Sequence, residues 1–596
     1  MVLCEETDCP PVGTQRYEIT GGNEMANRLE LTWYRKDKPI KIEPRLLIEN
    51  KELSNCTNDP DTDNMLIHGD NLLALKALEK MYAGQIKCIY IDPPFNTGQA
   101  FEYYNDNLEH SIWLNLMYAR LKILYTLLEP NGMFWIHLDD TEVHYCKIVL
   151  DEIFMRQNFV AHITYERSAV AGLGQGGYLV NTTEHILLYK KGILPDKTNL
   201  SYEELGFNII KRYNRYVADF GSRKLIREFT AKSNGETVRV YEHSGVKIET
   251  ISLRDVKNRE KEIREDFVRH LDSLFRGNRV QKENEFQNDI IAGLEKNKFY
   301  SVDYIPSRGK NKDQLTTLYY NNCELLSWLK DTTEVNDGLL TKSQKMTTLW
   351  KHGEIPKADI ANEGGVSFPR NKKPEQLIKR IIEMSTEPGD YVLDSFLGSG
   401  TTAAVAHKMG RKYIGIEMGN HAYTHCKPRL DSIISGEDKL GVTKTTNWHG
   451  GGSYRFYELA PSLINQDVFG EYVINKDYDA DMLAAAVALH EGFIYQPDSK
   501  CFWKQSIGNE KSYLFVTTRH INDAYLESIQ HTMEEQEYLI IACRSFDASI
   551  EKKYPHIKIK KIPQMLLARC EFGKEEYNLN IVHPPIYEDE GDEFDE

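Results

Sequence analysis

The chain is 596 residues long, with 41% apolar, 27% charged and 11% aromatic residues. That composition supports about three to four folded domains and excludes wholesale disorder. The formal charge of −16, from 73 Lys and Arg against 89 Asp and Glu, argues against nucleic-acid binding only if it is evenly spread, and it is not: residues 186–350 carry a net +5 and the remainder −21.

The longest apolar run, Met482–Leu489, is eight residues, far short of a membrane span, so no membrane association is expected. The start, MVLCEETDCPP, is acidic and Pro-bearing, unlike a secretory signal. Ten cysteines form no C-x-x-C pair. This argues against a zinc ribbon and a secreted disulfide scaffold and points to a reducing cytoplasm.

In chain order, residues 1–63 read as an irregular N-terminal extension, turn-rich at Asn55–Asp63. Residues 64–194 alternate. Met65–His68 is a short apolar run. Leu72, Leu73, Leu75, Leu78 and Met81 predict an amphipathic helix over Asn71–Ala83. Strands are predicted at Ile86–Ile91, Met133–Leu138 and Glu184–Tyr189, and helices at Trp113–Leu128 and Val143–Phe154. Residues 195–350 break the rhythm and are polar, charge-dense and aromatic. It resumes over 351–445, with Leu377, Ile378, Ile381 and Ile382 on one helical face behind Pro374, a strand at Tyr391–Phe396, a helix at Thr401–Met409 and a strand at Tyr413–Glu417. The expected fold is an α/β, mostly parallel, Rossmann-like sheet split by a long insertion. Gly450-Gly451-Gly452 is read as a linker within a C-terminal domain, 446–596. That domain is mixed α/β, with strands at Tyr513–Val516 and Tyr538–Ala542. Its end, Glu588–Glu596, holds seven acids and reads as a solvated tail.

Two motifs carry chemistry. The strand Ile86–Ile91 delivers Asp92-Pro93-Pro94-Phe95 to the sheet edge. Two prolines stiffen the backbone and remove two N–H donors, which leaves acceptors beside an aromatic ring. The Asp92 carboxylate and the Pro93 carbonyl suit an amino group on a flat base. Two acceptors can draw its hydrogens out of plane and localise the lone pair, while Phe95 stacks. The alternative reading is an ordinary Asp-Pro turn. The second motif is Asp394-Ser395-Phe396-Leu397-Gly398-Ser399-Gly400-Thr401-Thr402 at a strand-to-helix junction. Its glycines permit close approach of a ligand, and Glu417, at the end of the next strand, can hold a ribose diol. The loop lacks the Lys of a phosphate-cradling loop. Gly172, Gly174 and Gly177 form a formal G-x-G-x-x-G, but a strand rather than a helix follows, so a mobile loop is expected there. His137, Asp139, Asp140 and His144 lack metal-ligand spacing and are expected at the surface or a loop end; no metal is predicted. The absence of a Pro-Cys dipeptide removes the nucleophile needed for methylating a ring carbon, and transfer to an exocyclic nitrogen needs none.

Together the motifs resemble an amino-group DNA methyltransferase of the β class, with the catalytic motif first and the cofactor loop after a target-recognition insertion. Further stretches resemble the modification subunit of type III restriction–modification systems: Leu29–Trp33, His68–Leu72, Asp106-Asn107, His110–Leu114, Leu138–Asp140, Glu184–Tyr189, Lys373–Ile378 and Tyr423–Leu430. Phe95 departs from the family's commoner tyrosine. The resemblance implies S-adenosylmethionine as cofactor, with Asp70 and Asn71 near its adenine, Phe396, Gly398, Gly400 and Thr401 lining its site beside Asp394, Glu417 on the ribose, and Lys373-Pro374 bordering the methionine end. It implies N6 of adenine in double-stranded DNA as acceptor, a base rotated out of the duplex into the Asp92–Phe95 pocket, a separate helicase–nuclease restriction subunit, and a homodimer. A stand-alone enzyme, an N4-cytosine or RNA methyltransferase, and a catalytically dead DNA-binding specificity subunit are the alternatives.

Overall fold

The computed structural model describes residues 30–38, 40–96, 110–168, 179–193, 200–232, 234–279, 284–308, 311–336, 338–355, 363–366, 368, 372–550, 552–567 and 569–574. Asp106-Asn107, the Gly172–Gly177 loop and the acidic tail lie outside them. The chain divides into two compact units, Asp196–Thr347 and the remainder.

The larger unit is built on a ten-stranded sheet. Its strands are β1 (Leu47–Glu49), β2 (Met65–His68), β3 (Ile86–Ile91), β4 (Leu128–Leu138), β5 (Phe159–Glu166), β6 (Thr183–Lys190), β7 (Leu349–Trp350), β8 (Tyr391–Asp394), β9 (Lys412–Glu417) and β10 (Arg455–Leu459). The spatial order is β1-β10-β2-β9-β8-β3-β4-β6-β5-β7. The central pairs are parallel, and β6 runs antiparallel to both β4 and β5. Helices α1 (Asn71–Tyr82), α2 (His110–Leu127), α3 (Val143–Phe154), α4 (Glu375–Ser385), α5 (Thr401–Lys408) and α6 (Lys427–Ser435) follow the strands.

Each central strand is buried on both faces, as a parallel sheet between helices requires. The two-residue period of the strand then sorts side chains into two cores. Ile89, Ile91, Phe134, Ile136 and Leu393 join Leu72, Leu78 and Leu121 on one face. Cys88, Tyr90, Trp135, Ile186, Leu188 and Val392 join Leu377, Ile378, Ile381 and Ile382 of α4 on the other. β8 pairs with β3 through Val392↔Cys88 and Leu393↔Ile89, so the two halves of the sheet close on each other across the insertion. From this junction the chain order runs outward in both directions, to β9 and to β4, so a crevice opens at the strands' carboxyl ends.

β10 lies beyond Gly450–Gly452 yet pairs in parallel with β2. The glycines therefore lead into the main sheet, and the core extends past residue 445. Behind it, a five-stranded sheet contains Ser512–Ile521 and Tyr538–Phe546 as parallel neighbours. The smaller unit holds an eight-stranded sheet with antiparallel pairings and a separate three-stranded one, its helices Val256–Arg269 and Glu285–Ile291 contributing Ile263, Phe267 and Ile290 to its cores.

A buried ionic network ties α4, α5 and α6 together. Glu375, Lys408 and Arg429 are fully buried. Glu375 meets Lys408 Nζ at 2.8 Å and Arg429 at 2.7 Å, Lys408 also meets Asp438 at 2.5 Å, and the Val442 N–H donates to Glu375 at 2.9 Å. Burial alone would raise the Glu375 carboxyl, but Arg429 and Lys408 outweigh it and hold it below the usual carboxylate range. Glu375→Gln leaves this balanced cluster with an excess cation. We expect it to lose about 3–5 kcal/mol of stability, read as a lowered urea midpoint at neutral pH; an unchanged midpoint contradicts this reading.

Candidate active site

Asp92 follows the last residue of β3, and its loop is held from behind. The Trp113 indole N–H on α2 donates to the Pro94 carbonyl at 2.9 Å. Asn96, with a φ of +61°, donates from Nδ2 to Glu142 Oε1 at 2.7 Å. His110 Nδ1 lies 2.8 Å from the same oxygen. Prolines 93 and 94 offer no N–H, and the Pro94 carbonyl is occupied. The Asp92 carboxylate and the Pro93 carbonyl are the acceptors left at this loop, Pro93 buried and Asp92 and Phe95 half-buried.

The strand period brings more side chains to this point. Tyr90 on β3 with Asp92 just beyond its end, Trp135 and His137 on β4, and Ile186 and Glu184 on β6 each share a parity, and all fall on the face covered by α4. Lys373, immediately ahead of the α4 cap residue Pro374, reaches into this cluster. Its Nζ is 3.3 Å from Asp92 Oδ1, 3.3 Å from Glu184 Oε2, and 4.7 Å from the Phe95 ring centroid. His137 Nε2 is 2.7 Å from Glu184 Oε2, and the Tyr90 hydroxyl is 3.1 Å from His137 Nδ1.

His137 is completely buried. This corrects its expected surface or loop-end position: it is an interior residue of β4, two positions after Trp135. His144 and Asp140 are exposed, and among the described residues no group of His, Cys, Asp and Glu could hold a metal. Neither Glu184 nor His137 was singled out as a site residue from the sequence. The available signal was their strand parity, once β4 and β6 were placed side by side.

Burial and Lys373 hold the His137 imidazole below its ordinary value. The ring thus bridges Glu184 at Nε2 and the Tyr90 hydroxyl at Nδ1, and burial holds the proton of that hydroxyl. Burial pushes the Asp92 carboxyl up, against the pull of Lys373 and His137. For Glu184 burial works upward too, but Lys373 and His137 outweigh it and the carboxyl lies well below the usual range. Burial would lower Lys373, and Asp92 with Glu184 overcome it.

One strand over, the glycine loop joins β8 to α5. The Asp394 carboxylate accepts from the Phe396 N–H at 2.9 Å and from the Thr402 hydroxyl at 2.6 Å, which shapes the turn. Burial pushes Asp394 up to about 7, with those bonds opposing. Glu417, at the end of β9, accepts from the Gly398 N–H at 2.7 Å and the Gly419 N–H at 2.9 Å; burial pushes it, too, up to about 7. Gly398 has φ +56°, and a Cβ there would meet no described atom within 4 Å, so its face is an open cradle. Gly400, at φ +79°, differs: a Cβ would lie 3.2 Å from Cys426 Cα, so this glycine lets the loop pack against the next helix.

Other expected site residues serve the frame. Asp70 caps α1, accepting from the Leu72 and Leu73 N–H groups at 2.9 and 3.0 Å, and pairs with Arg120 at 3.3 Å. Asn71 Nδ2 donates to the Ser395 carbonyl at 2.7 Å, linking α1 to the glycine loop. The Thr401 hydroxyl accepts from Arg429 at 2.9 Å and so faces the buried network.

The chain is similar to several curated proteins. It is 36% identical over 428 residues to a probable type III restriction-modification enzyme HindVI Mod subunit of Haemophilus influenzae, covering 69% of this chain and 56% of that one. It is 25% identical over 487 residues to the EcoPI Mod subunit of Escherichia phage P1, covering 72% and 66%. To the StyLTI Mod subunit of Salmonella typhimurium it is 24% identical over 404 residues, covering 62% and 54%. The matched region thus spans a little over half to about two thirds of these relatives' lengths. Residues 86–427, more than half of the chain and including both the Asp92 loop and the glycine loop, match the N6_N4_Mtase family, described as DNA methylase; the chain belongs to that family.

Proposed function

We propose that this chain is a site-specific methyltransferase that moves a methyl group from S-adenosylmethionine to N6 of adenine in double-stranded DNA. The observation that carries the reading is the placement of the Asp92-Pro93 acceptors one strand away from the open Gly398 cradle. The residues fit the cofactor. Phe396 and Gly398 would line it, Glu417 retains lone pairs for ribose hydroxyls, and Lys373-Pro374 would border its methionine end. When bound, that cofactor supplies an electrophilic sulfonium methyl. The chain's own residues hold the rotated base: Phe95 against its face, Asp92 and Pro93 on its amino hydrogens, with Asp92 polarising the amine.

Similarity to the Mod subunits supports the role of modification and recognition subunit in a type III system, homodimeric, cytoplasmic, and working with a separate restriction subunit. The net positive insertion supports sequence recognition by the smaller unit. There Arg223 lies over the Tyr241 ring at 4.4 Å, and Phe220 and Trp328 flank Tyr319 at 5.4 and 5.2 Å. Arginines of this kind can follow phosphates while aromatic and polar side chains read bases.

The test uses the intact purified chain, methyl-labelled cofactor and duplex DNA, followed by digestion to nucleosides. The label is expected in N6-methyladenine. Label in N4-methylcytosine overturns the choice of base, and label only when RNA is supplied overturns DNA as substrate. Asp92→Ala should lower transfer on the order of 100-fold or more, with cofactor affinity measured by calorimetry nearly unchanged. Transfer at the wild-type rate contradicts the assignment. Gly398→Val places a branched side chain at a positive φ in the cradle, so it should abolish calorimetric cofactor binding while the circular dichroism spectrum is retained. Normal binding would move the cofactor site elsewhere.

A further inference from the structure

The groups around Asp92 are unequal in charge. Lys373 reaches it from the approach to α4, Glu184 from β6, His137 from β4 and Tyr90 from β3. Asp394 stands at the end of the neighbouring strand β8. Tyr165 of β5 lies behind His137, their ring centroids 5.8 Å apart, and Arg167 beyond β5 is 3.6 Å from the outer oxygen of Glu184. The buried Lys373 ammonium sits between two carboxylates, 3.3 Å from each. Glu184 cannot swing away, because His137 Nε2 holds the same oxygen at 2.7 Å and the side chain is 5% exposed. An arrangement built only to neutralise Asp92 needs no second carboxylate on the same ammonium. Burying one costs free energy unless it is well paired.

We propose that Glu184 is a positioning residue for methyl transfer: fixed by His137, it shares the Lys373 ammonium with Asp92 and so keeps the Asp92 carboxylate a strong acceptor for the target amine. The inference rests on the methyltransferase reading above and names a function for a residue that acts through Lys373 and Asp92. A fully compensated carboxylate beside an unshared ammonium would draw weakly on the amine hydrogens. Glu184 takes up part of the ammonium's hydrogen-bonding capacity, and its own negative charge works against ionisation of Asp92.

The two neighbours of Asp92 therefore act on it in opposite senses. Glu184→Gln removes a like charge and leaves Lys373 to Asp92 alone, so Asp92 binds a proton less tightly. Lys373→Met removes the cation, so Asp92 binds a proton more tightly. The experiment measures kcat/KM for methyl transfer to duplex DNA by the intact chain from about pH 4.5 to 9, for wild type and both variants. The acidic limb should move to lower pH in Glu184→Gln and to higher pH in Lys373→Met, by about half a pH unit or more each, with the Glu184→Gln plateau lowered about tenfold. A purely structural role for Glu184 would lower the rate with the limb unmoved. An unmoved limb, or limbs shifted in the same direction, overturns the proposal. If Glu184→Gln does not fold, Lys373→Met alone decides: its limb must rise, and a limb that stays or falls overturns the coupling. A wild-type chain that transfers no methyl group overturns the functional reading itself. Transfer by wild type with unshifted variants overturns only this inference.

Discussion

The parallel pairing of β8 with β3 is the contact on which the site depends. Two residue pairs, Val392↔Cys88 and Leu393↔Ile89, fix the register between segments about 300 residues apart in sequence. A slip of one residue would turn every side chain of β8 to the opposite face. In the observed register Asp92 and Asp394 leave adjacent strands at the same edge, one opening the acceptor loop and the other the glycine loop. The insertion can then be a unit of its own, because the sheet closes without it.

The same parity rule places charge. On the face covered by α4, one end of the helix carries a balanced network of two carboxylates, Glu375 and Asp438, and two cations, Lys408 and Arg429. Just ahead of that helix Lys373 carries an ammonium that Asp92 and Glu184 share, with Arg167 3.6 Å from Glu184. The first network fixes helices against one another. A shared ammonium leaves the Asp92 carboxylate with unmet demand for hydrogen-bond donors. The two clusters stand two residues apart, at the start of one helix.

Much of this frame was legible in the residues. Ile86–Ile91 and Val143–Phe154 were bounded as observed, because apolar periodicity and flanking turns agree there. The Asp92 and Asp394 loops were legible because Pro and Gly restrict or free the backbone locally, whatever the fold. Less was visible where tertiary neighbours decide. His137, one residue before Leu138-Asp139-Asp140, reads as a loop end, but β4 carries it inside. Glu184 acquires meaning only when β6 lies antiparallel to β4 and α4 brings Lys373 across. Asp70 lies beside the cofactor loop in chain logic, yet the helix it caps and Arg120 occupy its carboxylate. The glycines at 450–452 resemble a linker, since local composition cannot show that β10 will pair with β2.

The central proposal is that acceptors from one half of the sheet and a cofactor cradle from the other meet to methylate an exocyclic amine at a sequence chosen by the insertion. Single-molecule sequencing of DNA from cells expressing the intact chain tests this most directly. The account predicts modified adenines confined to one sequence context. Unmodified DNA, or modification scattered without sequence preference, would contradict it.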